Sequence, residues 1–266
     1  MKPLEKLAWL LRGIAGRLHD PVRDEFKELE RRFPGMVPAP VCRIKTLRTW
    51  DIPLLEHHLY RKARKAGIPA EYRPHSWPPR DPLPVWETYW EEVAPYLKPG
   101  MTIAEVGPGH GYFTDRYMAD CGRAYLVDFS EMLCFLLLPD KYRNEPKATP
   151  VFTTNCRMPA IPDGSVDLFF SLATFVHIEI ETQYGYLLEA HRVLKKGGTV
   201  VIHFASMLGD EAFKSYADMC PADFSGHPLR CHHPQSVELL ARRVGFQVLK
   251  TVVEKNNFNS FIHLRK

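Results

Sequence analysis

The sequence predicts an α/β protein whose central sheet is doubly wound and mainly parallel. Short apolar segments alternate with amphipathic ones from residue 86 onward, and a glycine-rich turn at 107–111 separates the first apolar segment from a helix. A short polar turn, Asn256-Asn257, joins the last two apolar segments. Alternating strands and helices favour a parallel sheet that is covered on both faces. A short turn between two strands requires an antiparallel pair, so we expect an antiparallel edge.

Seven strands are expected, because seven apolar segments are bounded by turn residues. They are predicted at residues 103–106, 123–127, 150–154, 166–172, 199–205, 246–255 and 259–265. The helices between them are predicted at residues 86–97, 113–120, 131–138, 181–195 and 234–243. We expect Ser130 to cap the helix after the second strand and Pro139 to end it.

The region before residue 86 has a different pattern, with helices and many prolines. Three helices are predicted there, at residues 4–18, 21–32 and 52–66. We therefore assign residues 1–85 to a mainly helical, proline-rich N-terminal extension and residues 86–266 to the α/β domain. Residues 206–232 are predicted to be an insertion within that domain.

The composition is that of an ordinary globular protein, with 45% hydrophobic and 25% charged residues and a net charge of +4. Residues 1–85 carry 17 Lys and Arg against 10 Asp and Glu, so the extension is basic. The remaining residues carry 18 against 21 and are slightly acidic. A net charge this small does not by itself indicate nucleic acid, and none is expected as a partner.

The cysteines and the apolar segments indicate whether to expect a metal site, an oxidising compartment or a membrane span. Six cysteines occur without a C-x-x-C pair and without Cys/His spacing typical of zinc, so we expect reduced thiols and no metal site. No apolar run approaches the roughly 18 residues of a membrane span. The N-terminus lacks the apolar core of a signal peptide, because Lys6 and Arg12 interrupt it. These observations predict a cytoplasmic protein.

The glycine turn marks the candidate ligand site. Gly107, Gly109 and Gly111 follow the first strand, where a sharp turn into a helix needs positive φ angles or a bare backbone. Amides at a helix N-terminus can approach a polar ligand closely. The spacing is G-x-G-x-G and not the G-x-G-x-x-G of a dinucleotide site. Asp128 ends the second strand, where a carboxylate can accept both hydroxyls of a ribose. Glycines and carboxylate together still leave a nicotinamide enzyme open.

Residues 101–266 resemble the class I S-adenosylmethionine-dependent methyltransferases, which have a Rossmann-like fold. The resemblance rests on motifs that occur in order: Glu105–Gly111 (E-x-G-x-G-x-G), Asp128, Met158-Pro159, Pro162–Leu168, Glu189–Gly198 and the terminal strand pair. It implies the strand order 3-2-1-4-5-7-6. It also implies S-adenosylmethionine as methyl donor and S-adenosylhomocysteine as product.

The resemblance further implies which residues contact the cofactor. The glycine-turn backbone would pass the methionine portion, and Glu105 would help to hold its ammonium group. Asp128 would bind the ribose, with Phe129 near the adenine; for Glu105 and Asp128 a structural role stays open. Asn155 stands where the family usually places an acid for the adenine amino group, and its side-chain oxygen can accept that hydrogen bond. The predicted cofactor-binding residues are Glu105, Gly107, Gly109, Gly111, Tyr112, Asp128, Phe129, Asn155, Cys156 and Ser171.

The acceptor-facing residues are expected after the fourth strand, at 171–174 and His177. Methyl transfer from a sulfonium is an in-line displacement, which requires alignment and exclusion of water but no metal or covalent step. His177 is the predicted catalytic residue, because imidazole exchanges protons near neutral pH. The alternative is that His177 packs or orders the loop. His203, within the fifth strand, is expected to be a core histidine.

The acceptor loop narrows the predicted reaction. Ser171-Leu172-Ala173-Thr174 is neither the N-P-P-Y loop of adenine or glutamine methyltransferases nor the Pro-Cys pair of cytosine C5 enzymes. Ser171 supplies no acid for the metal of catechol-type enzymes. The sequence therefore predicts metal-independent methylation of a nitrogen or oxygen in a small molecule. The alternatives are an RNA or protein methyltransferase that uses the basic extension, a nicotinamide-dependent oxidoreductase, and a catalytically inactive cofactor-binding partner protein.

Overall fold

A computed structural model describes residues 21–37, 51–69, 85–210, 213–214, 217, 229–254 and 258–266. The chain divides into two compact units, Met1–Asp81 and Pro82–Lys266. The helix predicted over residues 4–18 and the turn Asn256-Asn257 lie outside the described residues. The domain boundary expected after residue 85 stays a prediction, because residues 70–84 are also outside them. Within the described part of the chain, no helix has the length and apolarity needed to cross a membrane.

The described part of the first unit contains two helices, which confirm two of the three predicted there. They are α1 (Pro21–Arg32) and α2 (Asp51–Lys65). Buried apolar side chains of both helices, among them Leu29 and Leu59, form their common core. The carboxylate of Glu56 is fully buried, and the guanidinium of Arg32 lies 2.6 Å from it. Gly67, with a φ of +68°, follows the second helix, where glycine commonly ends a helix.

The described part of the second unit alternates strands with helices. The strands are β1 (Thr102–Val106), β2 (Arg123–Asp128), β3 (Ala148–Phe152), β4 (Val166–Ser171), β5 (Leu194–Ser206), β6 (Cys231–His232), β7 (Gln247–Val253) and β8 (Asn259–Arg265). The helices are α3 (Val85–Val93), α4 (Thr114–Tyr117), α5 (Leu138–Lys141), α6 (Ile180–Val193) and α7 (Pro234–Val244).

All eight strands form one sheet in the order β3-β2-β1-β4-β5-β8-β7, with the short β6 paired to β5. Apart from β6, this is the order that the resemblance implied. Strands β1 to β5 are parallel, and β8 runs antiparallel to both β5 and β7. The antiparallel strand therefore lies one position in from the edge strand β7. The two-residue β6 was not predicted. It lies at the C-terminal end of the predicted insertion and pairs with Ala205 and Ser206 at the end of β5.

The register brings four strand ends to the same edge of the sheet. Val106 pairs with Val127 between β1 and β2, and Asp128 pairs with Phe152 between β2 and β3. The Ser171 hydroxyl at the end of β4 donates to the Val106 carbonyl over 2.9 Å. The loops that follow these strands consequently start side by side, as the carboxyl ends of parallel strands do at a ligand site.

The helix after β2 differs from its prediction. Ser130 caps it as expected, since its hydroxyl accepts the Leu133 amide over 3.2 Å. The helix does not stop at Pro139, however, but continues to Lys141 through a π-helical turn at Leu133–Leu137. A π turn shifts the hydrogen-bond register, so the missing N–H of Pro139 falls next to that change and is tolerated. The extra turn carries Lys141 toward the glycine turn.

Three further boundaries differ from prediction. Helix α4 has one turn, Thr114–Tyr117, and not the predicted 113–120. Strand β3 starts at Ala148, two residues early, because Ala148 already pairs with Ala124. Strand β5 starts at Leu194, which pairs with Val166 before an irregularity in the ladder. Hydrogen bonding to the neighbouring strand determines where β3 and β5 begin. The local pattern of apolar residues carries no information on that pairing.

Arg192 connects two of the sequence motifs. It lies near the end of α6 and donates to the carbonyls of Met158 and Ile161, both over 2.9 Å. It also pairs with the buried carboxylate of Glu189 at 2.8 Å, and that carboxylate accepts the Met158 amide over 2.7 Å. Hydrogen bonding to Arg192 holds the pKa of Glu189 below its ordinary value. This network fixes the segment between β3 and β4 onto α6.

We predict that Arg192→Met destabilises the protein by about 3 kcal/mol, because it removes the closest cation from a buried carboxylate and the guanidinium donors from two carbonyls. Urea denaturation of the full chain measures this change. Lys195→Met is the matched control: its half-exposed pair with Asp167 is expected to contribute at most about 1 kcal/mol. Equal stability losses in the two variants would contradict the assigned role of Arg192.

Candidate cofactor and acceptor site

The turn between β1 and α4 has the backbone conformation that its glycines predicted. Gly107, Gly109 and Gly111 have φ angles of +74°, +52° and +78°. The amide of Gly107 donates to the Val127 carbonyl over 2.8 Å, which ties the start of the turn to β2. L-residues with a side chain pay roughly 1–2 kcal/mol to adopt such angles. The turn therefore needs glycine at all three positions on backbone grounds.

The surroundings of the three glycines differ. A Cβ on Gly107 would overlap the Thr174 side chain, and one on Gly111 would overlap the Tyr142 hydroxyl. A Cβ on Gly109 would have no atom of the described chain within 4 Å. Two of the glycines thus permit close packing of the protein on its own turn. Gly109 alone among the three leaves open space on its side-chain face, where a ligand can approach the backbone.

Glu105, on β1, is enclosed beneath the turn. Only 1% of the residue is exposed, and its Oε2 accepts the hydroxyls of Thr114 at 2.5 Å and Tyr117 at 2.8 Å. Burial raises the pKa of Glu105 to about 7, against the opposing effects of these two hydrogen bonds and the Lys141 charge. The carboxyl group therefore changes charge near neutral pH, and a cation placed next to it favours the ionised form.

A second set of polar groups lies at the ends of β2 and β3. Asp128 is buried and its Oδ1 accepts the Ser130 amide over 2.8 Å, while the neighbouring Phe129 is 39% exposed. The amide of Thr153 donates to the Asp128 carbonyl over 2.9 Å. The Thr153 hydroxyl is buried and has no hydrogen-bond partner in the described part of the chain. A buried hydroxyl in this state indicates a missing partner, such as a ligand.

The loop after β3 holds the two predicted adenine contacts. Asn155 is exposed, and its side-chain oxygen accepts the Arg157 amide over 3.2 Å, so this oxygen is used within its own loop. Cys156 has a φ of +66°, and its thiol donates to the Thr182 carbonyl over 3.4 Å. Burial raises the pKa of this thiol. The thiol therefore contacts α6, and a contact between the Cys156 amide and the cofactor stays a prediction.

The loop after β4 is held by a buried histidine. Ala173 has a φ of +55°, and its amide donates to Nδ1 of His203 over 3.0 Å. Nε2 of His203 lies 3.0 Å from the Asn259 side-chain oxygen, which also accepts the Tyr89 hydroxyl over 2.8 Å. Burial lowers the pKa of His203 to about 3. Because Nδ1 accepts, the neutral ring carries its proton on Nε2 and donates it to Asn259. His203 is thus a core histidine, as predicted, with the added task of orienting Ala173.

Ser171 and Thr174 bind backbone groups in the same loop. The Ser171 hydroxyl is fully buried in its bond to Val106. The Thr174 hydroxyl lies 3.3 Å from the Gly107 carbonyl and 3.2 Å from the Leu172 carbonyl. These two side chains hold the acceptor loop against the glycine turn, so neither points into open space. The Ser171 hydroxyl is thus used within the protein, and its contact with the cofactor stays a prediction.

His177 is exposed at the end of a 3₁₀ turn, Phe175–His177. The segment that returns from the insertion contacts the residues directly before and after His177. The Arg230 amide donates to the Val176 carbonyl over 2.7 Å. Nε2 of His232 lies 3.2 Å from the Ile178 carbonyl. His177 is therefore positioned where the acceptor loop and the insertion meet. In the part of the chain that the structure describes, no group of three His, Cys, Asp or Glu side chains could hold a metal ion.

Tyr112 belongs to an aromatic and charged cluster on α3 and α4. Its hydroxyl donates to Glu87 over 2.8 Å, and Arg116 lies over its ring at 4.9 Å. The Trp86 ring packs on Tyr112 with centroids 4.7 Å apart. Tyr89, from the same helix, packs on His203 at 4.3 Å. Trp86 and Tyr89 of α3 are therefore part of the core. Tyr112 is the member of the cluster that directly follows the glycine turn.

The site also contains residues that sequence reasoning missed. Thr114 and Tyr117 follow Glu105 by 9 and 12 residues and face it from one helical turn; polar residues at i and i+3 after the glycines were an available signal. Thr153 was missed because β3 was predicted to end later. Lys141 and Tyr142 carry no local signal, since they contact a turn about 30 residues earlier in the chain.

Comparison with known proteins agrees with this geometry. Residues 104–202 match the family model described as a methyltransferase domain. A search of curated protein sequences found no match. The matched range runs from the start of the glycine motif to β5 and includes the acceptor loop.

Several solved structures share the fold. A methyltransferase from Aquifex aeolicus that depends on S-adenosylmethionine is 19% identical, with a TM-score of 0.50, covering 67% of this chain and 87% of that one. A Haloferax volcanii protein solved in complex with the Trm112 methyltransferase activator is 16% identical, with a TM-score of 0.54, covering 68% and 89%. A Haemonchus contortus phosphoethanolamine N-methyltransferase, solved with S-adenosylhomocysteine, is 18% identical, with a TM-score of 0.52, covering 68% and 52%.

The matched domain, the strand order and the glycine turn together define the class of protein. Residues 104–202 belong to a methyltransferase domain, and the sheet has the strand order that the resemblance to class I S-adenosylmethionine-dependent methyltransferases implied. The protein is an enzyme of this type, and S-adenosylmethionine is its cofactor. The structure has features that fit this cofactor: open space at Gly109, a carboxylate at Asp128 and a buried hydroxyl without a partner at Thr153.

We predict that Gly109→Ala weakens binding of S-adenosylhomocysteine while lowering stability by only about 1–2 kcal/mol, the cost of the positive φ. Gly107→Ala is the comparison, because its methyl group would overlap Thr174 and force the loop to move. Gly107→Ala should therefore lose more stability. Urea denaturation and calorimetric titration measure the two effects. Undiminished binding in Gly109→Ala would contradict a ligand on the open face of the turn.

Proposed function

We propose that the protein transfers a methyl group from S-adenosylmethionine to a nitrogen or oxygen atom of a small molecule, without a metal ion. The observation that carries the small-molecule assignment is that the predicted insertion rejoins the sheet beside His177. Arg230 and His232, on its returning segment, bind the loop that holds His177. Because a segment of the same chain forms this edge of the site, the site suits an acceptor small enough to be enclosed. It is less suited to a large, flat macromolecular surface.

The proposed cofactor contacts follow the four strand ends. The backbone of Gly107, Gly109, Gly111 and Tyr112 would line the methionine portion, and ionised Glu105 would face its ammonium group. Asp128 would accept the ribose hydroxyls and Phe129 would cover the adenine, with the loop of Asn155 and Cys156 at the ring edge. Ser171 would support this arrangement by joining β4 to β1. A charged carboxylate is a strong acceptor for such hydroxyls.

The residues on the acceptor side would align and deprotonate the acceptor. When bound, the cofactor supplies an electrophilic methyl group on sulfur, which a nitrogen or oxygen lone pair displaces in line. The loop of Ala173 and Thr174, held by His203 and Gly107, would set the direction of approach. His177 would accept the proton that the acceptor loses. This role requires no metal, since displacement at a sulfonium needs alignment and desolvation.

A macromolecular acceptor is the second candidate. The basic side chains of α2, which include Arg61 and Lys65, are exposed and could contact RNA. Among the structural neighbours, one was solved with the small molecule phosphomonomethylethanolamine and another with an activator protein. Likeness of fold at this identity does not choose between such acceptors.

The cytoplasmic location stays a prediction; the four cysteines in the described residues are free thiols.

Incubation with methyl-labelled S-adenosylmethionine tests the proposal directly. The full chain is given a panel of small amines, phenols and carboxylic acids in one arm, and total RNA or denatured protein in the other. Label that appears in a methylated small molecule, separated by chromatography from unreacted S-adenosylmethionine, supports the proposal. Label that stays with RNA or protein would replace it with the macromolecular candidate.

We predict that Asp128→Ala weakens the affinity for S-adenosylhomocysteine about tenfold or more, because two hydrogen bonds to a charged group are lost. Calorimetric titration measures the change. Asp120→Ala removes an exposed carboxylate on the same segment and serves as the control, with affinity expected at the wild-type level. Equal affinities in both variants would remove Asp128 from the cofactor site.

We predict that His177→Ala lowers turnover by about 100-fold, the lower range for loss of a general base, and leaves cofactor affinity unchanged. Turnover is measured with the acceptor that the labelling panel identifies. His233→Ala is the control: this histidine caps α7 by accepting the Gln235 amide over 3.3 Å. Full activity of His177→Ala would return His177 to a role in ordering the loop.

A further inference from the structure

The carbonyl side of the glycine turn is held by two side chains that follow the π turn. Nζ of Lys141 donates to the carbonyl of His110 and, over 3.1 Å, to the carbonyl of Gly111. The Tyr142 hydroxyl donates to the Gly111 carbonyl over 3.3 Å. Both side chains also bind Asp115 in α4, at 2.7 and 2.8 Å. Lys141, Tyr142 and Asp115 are called the turn clamp below.

The clamp determines the orientation of backbone groups in the turn. The C=O and N–H of a trans peptide point in opposite directions. The backbone amide of Asp115 and Nζ of Lys141 donate to the Gly111 carbonyl. The Tyr142 hydroxyl lies 3.3 Å from the same carbonyl and shares its one hydrogen with the closer Asp115 carboxylate. The N–H of Tyr112, in the same peptide unit, must therefore point away from the clamp. The absence of a Cβ at Gly111 is what lets Tyr142 approach so closely.

The clamp also acts on Glu105 through charge. Burial raises the pKa of Glu105, whereas the hydrogen bonds from Thr114 and Tyr117 and the positive charge of Lys141 lower it. The negative charge of Asp115 acts in the opposite direction to Lys141. Lys141 thus stabilises the ionised form of a carboxyl group that is otherwise close to neutralisation.

We propose that Lys141 and Tyr142 are positioning residues for the amino-acid end of the cofactor. The clamp directs the Tyr112 amide at the end of the glycine turn, and Lys141 keeps Glu105 ionised for the cofactor's ammonium group. Neither residue contacts the reacting atoms. The proposal rests on the assignment of Glu105 to the ammonium group, which is part of the proposed function.

The charge effect has a sign that can be measured. Ionised Glu105 attracts an ammonium group, so cofactor affinity should rise as pH increases through the pKa of Glu105, near 7. Loss of the Lys141 charge raises that pKa further, because the carboxylate loses a stabilising neighbour. The midpoint of the affinity–pH curve should then move to higher pH, by about half a unit or more.

The test is calorimetric titration of S-adenosylhomocysteine into the full chain between about pH 5.5 and 8.5. Lys141→Met should weaken affinity roughly three- to tenfold at neutral pH and shift the midpoint upward. Lys141→Arg keeps the charge and should restore the midpoint. Tyr142→Phe removes hydrogen bonds but no charge, so it should weaken affinity with the midpoint unchanged. Lys147→Met is the matched control, because Lys147 donates to the Ala119 carbonyl and not to the glycine turn.

The outcomes separate this inference from the function on which it rests. Wild-type affinity and midpoint in Lys141→Met, with thermal unfolding showing a folded protein, would overturn the clamp. Equal losses in Lys141→Met and Lys147→Met would also overturn it. Wild-type affinity in Glu105→Gln would instead remove Glu105 from the cofactor site. Failure of the wild-type chain to bind S-adenosylhomocysteine would overturn the proposed function itself.

Discussion

The strand-to-helix turn at the end of β1 is the constraint on which the site depends. Its three positive φ angles bring the chain from a buried strand into α4 within a few residues. Side chains from two other loops pack on it, with Thr174 at its start and the turn clamp at its end. The turn is therefore fixed by tertiary contacts on its protein-facing side. The open face at Gly109 is what remains for a ligand.

Buried polar groups orient the loops around this turn. Glu105 and His203 both lie inside the sheet region, and burial opposes the charged form of each. Hydrogen bonds satisfy them: Thr114 and Tyr117 donate to the carboxyl, and the imidazole takes the Ala173 amide. Because unsatisfied polar groups are costly in such surroundings, these bonds hold the glycine turn and the acceptor loop in defined positions.

The two halves of the candidate site have different origins. The donor half is built from the ends of β1 to β3, whose order this chain shares with the solved methyltransferases of similar fold. The acceptor half is built from the loop after β4 and the segment returning from the insertion, which meet around His177. The fold thus accounts for the methyl donor. The proposed acceptor side depends instead on contacts between these two segments.

Local sequence was sufficient for the elements and for the donor motif. Periodicity and turn residues predicted the succession of strands and helices, the cap at Ser130 and the glycine turn, because these features depend on neighbouring residues. The order of the strands in the sheet came from the family resemblance. The continuation past Pro139, and the clamp that it carries to Gly111, depended on contacts about 30 residues apart. Such contacts leave no periodic signal, so only the tertiary structure decided which groups hold the turn and which face remains open.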